Sequence, residues 1–182
     1  THVIADSWFG NKENIKAVVS SKLTGIFRMK RGNLQYLLNG KRYTATELHA
    51  LIKRRMKKTK GTNYRTYTLN VHLDLSEKKK NPKLLPVRLL FSSSVRQHKE
   101  NWVVFLSTDT HLSTEEILET YALRWRIEVY FKEIKQHFGF LKEQTGDYAV
   151  HYASVHLSAI RFMLIAHNML ISGDSFGAVR SK

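Results

Sequence analysis

The chain has 182 residues, 42% of them hydrophobic, which suffices for a folded domain with a sizeable core and excludes a disordered chain. It has no cysteine, which excludes disulfides and thiolate metal centres. The 30 Lys and Arg against 15 Asp and Glu leave a formal net charge of +15, which favours a polyanionic partner, because each neutralised phosphate releases counterions.

His2-Val3-Ile4-Ala5 is a short apolar run ending at Asp6 and predicts a buried strand. The sequence opens at Thr1 rather than Met and enters this strand at once, so an upstream part is expected; no signal peptide is visible. Asn11 to Ser20 has helical spacing, with Ile15, Val18 and Val19 on one side. Thr24 to Lys30 predicts a strand. Leu34 to Thr44 predicts a hairpin, because Asn39-Gly40 favours a type I′ turn. A short basic helix follows over Thr46 to Lys57, with Thr46 as its cap. Tyr64 to Leu75, Val87 to Ser92 and Trp102 to Thr108 predict three more strands, with a charged loop at Glu77 to Lys83.

Ser113 and Glu116 form a capping box, opening one long helix expected to run to about Phe138 and stop at Gly139. A second long helix spans about Asp147 to Ile171. Its charge-free stretch, Phe162 to Gly173, is too short for a bilayer and is expected to be buried. The fold class is therefore mixed α/β. Between Lys22 and Lys60 stand 12 Lys or Arg and one acid, Glu47, which points to a nucleic-acid-facing surface.

The chemistry concentrates between Tyr121 and Lys135. At about 100° per residue, Tyr121, Arg124, Glu128 and Lys135 fall within about 60° of one another, with Lys132 beside them. Leu123, Ile127, Ile134 and Phe138 share another face, expected to pack on the core. A lone carboxylate among cations is held ionised and can ligate a hard divalent cation, while Arg, Lys and Tyr can hold phosphates. A surface helix with ordinary ion pairs would show the same pattern.

Tyr-x2-Arg-x3-Glu-x6-Lys resembles the signature of insertion-sequence transposases with an RNase H-like DDE core. Val3-Ile4-Ala5-Asp6-Ser7-Trp8-Phe9 is similar to the strand end that carries their second catalytic Asp, and Asn101 to Thr108 to the strand before the signature helix. The resemblance implies a partial RNase H-like core, from residues 1–22 and 101–182, with a basic, β-rich insertion over about 23–100 and two long C-terminal helices. It implies Asp6 and Glu128 as second and third acids holding Mg²⁺ or Mn²⁺. Tyr121, Arg124, Lys132 and Lys135 would contact double-stranded DNA, and Trp102 would stack on a flipped base. It implies hydrolysis and strand transfer at transposon ends, a homodimer on paired ends, and a nucleoid-associated, cytoplasmic, prokaryotic protein with no membrane.

The family's first Asp lies upstream of its second, and no acid precedes Asp6 here. Asp109 follows a strand but on the wrong side of the insertion, and reads as a loop residue. The chain alone is therefore expected to be inactive. A non-catalytic DNA-binding remnant and an RNase H-like nuclease are the alternatives. The nine histidines show no zinc-ligand spacing.

Overall fold

Apolar side chains alternate between the two faces of one mixed sheet, as the period of an extended chain requires. The computed structural model describes residues 2–76, 82–96, 101–140 and 142–181. Contacts divide the chain into two compact units, Thr1–Leu123 and Arg124–Lys182. In the first, β1 (His2–Ala5), β2 (Thr24–Met29), β3 (Gln35–Leu38), β4 (Lys41–Thr44), β6 (Tyr64–Asp74), β7 (Leu84–Ser94) and β8 (Trp102–Ser107) line up as β1-β2-β8-β7-β6-β3-β4. The short β5 (Lys57–Lys58) pairs with β6. β1 and β2 are parallel, and the other pairings are antiparallel.

One face of the sheet carries Phe27, Met29, Val87, Leu89, Phe91, Trp102, Val104 and Leu106. These pack with Ile15 of α1 (Lys12–Ser20) and Leu48 and Ile52 of α2 (Ala45–Ile52). The alternate residues Ile26, Leu90 and Phe105 pack with Ile117 of α3 (Thr114–Ala122). Helices therefore cover both faces, and the central strand β8 is the driest. β1 is less buried than its composition predicts, because among the described residues it lies at the sheet edge and pairs only with β2.

Local signals explain most boundaries. The Asn11 side chain accepts the Asn14 amide at 2.9 Å and starts α1. Asn39 and Gly40 both take positive φ, 49° and 79°, as a type I′ turn needs. The cap of α2 is Thr44, not Thr46: Thr44 and Glu47 make a reciprocal box, and the helix runs from Ala45 only to Ile52 rather than to Lys57. Hydrogen bonds from the cap residues hold the Glu47 and Glu116 carboxyls below the usual carboxylate range. The charged loop expected over residues 77–83 lies outside the described residues except for Pro82 and Lys83.

The second unit holds α4 (Trp125–His137), α5 (Tyr148–Ser172) and α6 (Phe176–Arg180). α4 stops before Gly139 (φ 70°), and α5 stops at Gly173 (φ 73°). Tyr130 of α4 meets Phe162 of α5 edge to face with ring centroids 4.9 Å apart, and Phe176 of α6 packs near Phe162 and Phe138.

The structure corrects three expectations here. The single helix expected from Ser113 to about Phe138 is two, α3 and α4. Leu123 and Arg124 keep right-handed helical dihedrals, but the Leu123 amide donates to Thr120 at 3.2 Å and that of Ile127 to Arg124 at 3.0 Å. The backbone ladder has tightened to three-residue steps, and no proline or glycine marks the change in sequence. Of the apolar face expected to pack on the core, Ile134 is buried, whereas Leu123 and Ile127 are about half exposed. The stretch 162–173 is not a buried helix either: Met163, Leu164, Leu170 and Ile171 are all exposed. α5 spans 25 residues and is long and apolar enough to cross a membrane by length and composition alone, a test that core helices of soluble proteins also pass.

Candidate functional site

Asp6 sits directly after β1, at the sheet end where β2 also finishes and β8 begins. Its Oδ1 accepts the Trp8 amide at 2.8 Å, and its main-chain carbonyl accepts the Phe9 amide at 3.2 Å. The Phe9 carbonyl in turn accepts the Asn11 amide at 2.9 Å and the Asn14 side-chain amide at 3.0 Å. Asp6 thus does the work of a turn residue with one oxygen, leaving Oδ2 without a hydrogen bond from any described residue. The turn is also held from below. A Cβ on Gly10 would come within 2.6 Å of the Arg28 carbonyl, so residue 10 must be glycine for the loop to lie this close to β2. Trp8 projects from the turn, 75% exposed, with the Lys30 ammonium 4.9 Å from its ring centroid.

Trp102, which the sequence marks as a base-stacking candidate, lies in the core face and is 5% exposed. The His49 imidazole stacks on it, with centroids 4.2 Å apart and an interplanar angle of 11°. The Arg31 guanidinium lies over the same ring at 4.3 Å and donates to the Trp102 carbonyl. Partial burial, reinforced by the positive charges of Arg31 and Lys53, pushes the His49 imidazole below its ordinary value of 6.5.

That depression has a consequence for stability. A folded-state value below the unfolded one means that the unfolded chain binds more protons, so the contribution of His49 is present above pH 6.5 and is lost as pH falls through that value. Urea midpoints should therefore decline below pH 6.5, and His49→Phe should flatten the decline. An equal slope in the variant would assign the effect to other groups.

On α4 and the residue before it, Arg124 and Glu128 form an i,i+4 ion pair at 2.5 Å, with the Glu128 carboxylate partly exposed. Lys132 and Lys135 are exposed on the same helix, four and seven residues beyond Glu128. The Tyr121 ring belongs to the first unit, where it packs on Phe105 with centroids 4.7 Å apart. The spacing of the expected stripe survives as the Arg124–Glu128 contact and the two lysines after it, all in the second unit. Asp109 is a turn residue, accepting the His111 amide at 2.9 Å.

Among the described residues, no three or more His, Cys, Asp or Glu come together to hold a metal ion. The donor chemistry nonetheless suits a hard divalent cation, which prefers carboxylate oxygens. Asp6 and Glu128 each keep one oxygen without a hydrogen bond from any described residue, on side chains that are not buried. Sequence reasoning missed the Trp8–Lys30 contact and the Trp102–His49–Arg31 stack. Both join residues 22 or more apart, through strand pairings that no local pattern announces.

A family model described as Transposase DDE domain matches residues 1–164 of the chain. A comparison with curated proteins returns no match.

Proposed function

We propose that this chain, which belongs to the transposase DDE domain family, forms part of a catalytic domain that cleaves phosphodiesters at the ends of a mobile DNA element and joins them to target DNA. The observation that carries this reading is the Arg124–Glu128 pair, set in the Tyr-x2-Arg-x3-Glu-x6-Lys spacing, together with Asp6 held at a strand end with one carboxylate oxygen unengaged. On this reading residues 1–22 and 101–182 supply RNase H-like core elements, and the basic strands between them are the insertion. The domain works as a homodimer on paired double-stranded DNA ends.

Asp6 and Glu128 are the proposed ligands of Mg²⁺ or Mn²⁺. Such an ion, when bound, supplies charge neutralisation and activates an attacking water or 3′-hydroxyl. The chain's own groups do the rest. Arg124 pairs with Glu128 and restrains its rotamer. Lys132, Lys135 and Arg124 neutralise phosphates, and the Tyr121 hydroxyl adds a backbone contact. Trp102 orients Arg31 toward the sheet end; it reaches a base only if the His49 stack opens.

The phosphate assignment is tested by salt. Lys135→Ala should weaken binding to a DNA duplex uniformly across sequences and lower the slope of log K against log salt by about one. Arg124→Ala should lower it less, because part of that charge is already met by Glu128. An unchanged slope in Lys135→Ala removes that residue from the interface. Strand joining, assayed on oligonucleotides that carry the element's ends, separates a transposase from a nuclease that only cleaves.

A further inference from the structure

We infer that Trp8 is a stacking platform for an unpaired nucleobase beside the Asp6 carboxylate, with Lys30 holding the adjoining phosphate. The inference rests on the nucleic-acid reading above and specifies how a single strand is seated at this sheet end. Three observations carry it. The indole is 75% exposed, so its stacking surface is available without rearrangement. The turn beneath it is tied by its own bonds: the Trp8 amide donates to Asp6 Oδ1 at 2.8 Å, the Phe9 carbonyl accepts two hydrogen bonds, and Gly10 lies against the Arg28 carbonyl. A platform held by its backbone loses little entropy when a base settles on it. Finally, a cation already sits by the ring, with Lys30 Nζ at 4.9 Å from the centroid. A nucleotide needs this pairing, an aromatic plane for the base and a positive charge for the phosphate.

A lone exposed aromatic is common on protein surfaces and means nothing by itself. Trp8 differs in its setting: it lies two residues from the carboxylate proposed to act on a phosphodiester, and its main chain is hydrogen-bonded to that carboxylate. An unpaired base stacked here would set its phosphate within the reach of the same turn. Every nucleobase presents a flat face, so the platform is indifferent to sequence and recognises unpairing.

The test compares this chain with its Trp8→Leu, Trp8→Phe and Lys30→Gln variants, without divalent metal. Fluorescence anisotropy follows two probes, a short fluorescein-labelled oligothymidylate and an abasic strand of equal length. The wild-type chain should bind the thymidylate roughly 10-fold more tightly than the abasic strand, and Trp8→Leu should bring that ratio close to one. Trp8→Phe should keep most of it, and Lys30→Gln should weaken both strands alike. Since the ring is exposed, Trp8→Leu should melt with the wild type. A ratio that survives in Trp8→Leu overturns the platform. Failure of the catalytic reading would show elsewhere, as metal binding unchanged by Asp6→Asn, so the two can fail independently.

Discussion

With the chain acting in a domain that carries all three family acids, Asp6→Asn should lower metal-dependent DNA cleavage at least about 100-fold, and Glu128→Gln should do the same. The magnitude follows from a comparison. Losing a group that merely orients a metal ligand costs about 10- to 100-fold in affinity or activity, so losing the ligand itself costs no less. The choice of substitution matters more than the size of the effect. Asp6 has two duties, because its Oδ1 accepts the Trp8 amide and its other oxygen is the proposed ligand. Asparagine keeps an oxygen for the amide and so preserves the turn, while removing the charge a divalent ion needs. Alanine removes both. If the turn alone mattered, Asp6→Asn would be active and Asp6→Ala would not. If the metal matters, both are inactive, and calorimetric titration of the chain with Mn²⁺ weakens in both. Glu128→Gln keeps the side chain's length and a hydrogen bond to Arg124, so its loss of activity reports charge rather than helix stability. Cleavage within about threefold of wild type in either amide variant would remove that residue from the ligand set, since that is about 0.7 kcal/mol of barrier.

The parts of this fold that were legible in sequence are those written in neighbouring residues. Asn39-Gly40 specifies its turn because two positive φ angles in a row suit few other pairs. Ser113 and Glu116 cap α3 reciprocally across three residues, and Gly139 stops α4. Most strands of the first unit followed from apolar runs, from the Asn39-Gly40 turn or from the alternation over 64–75, whereas β5 was not expected. What was not legible depends on long-range partners or on their lack. Leu123 and Arg124 continue the helical period perfectly, so the break between α3 and α4 leaves no compositional trace. The apolar length of α5 reads as burial only if something covers it, and periodicity does not state whether a cover exists.

The candidate site divides in the same way. Motif spacing singled out Asp6 and Glu128 as candidates. The environment of Trp102 was not: His49 reaches it from α2, and Arg31 from the segment after β2. An aromatic residue opening an apolar strand looks identical in sequence whether it is stacked inside or offered to a ligand. Trp8 shows the converse. It follows an apolar strand and yet stands exposed, because the Asp6 turn rotates it out of the sheet.

Phe91→Ala should destabilise the first unit by about 3–5 kcal/mol, the largest effect expected of any single core truncation of this kind. Phe91 is fully buried in β7, with Tyr67 of β6 on one side and Val104 of β8 on the other. Its ring lies 5.8 Å from that of Trp102 and 6.1 Å from that of His49. Truncation leaves a cavity bounded by these two rings and by paired backbone, which cannot collapse without breaking strand pairing. Relaxation is therefore limited, and the cost belongs at the upper end of the range. Against a typical domain stability of about 5–15 kcal/mol, the variant loses between about one fifth and the whole of its margin. Urea denaturation should show a lower midpoint with unchanged slope, and Phe91→Leu should cost roughly 1–2 kcal/mol because it fills most of the space. As a contrast, Leu170→Ala on α5 should stay within about 0.5 kcal/mol of wild type, since that side chain is 86% exposed. The same cavity should loosen the Trp102–His49 stack and with it the seat of Arg31. DNA binding by Phe91→Ala should then fall even at temperatures where the chain remains folded. A variant as stable as wild type would mean that the aromatic cluster is not the keystone of this sheet, and that Arg31 is positioned by its own backbone alone.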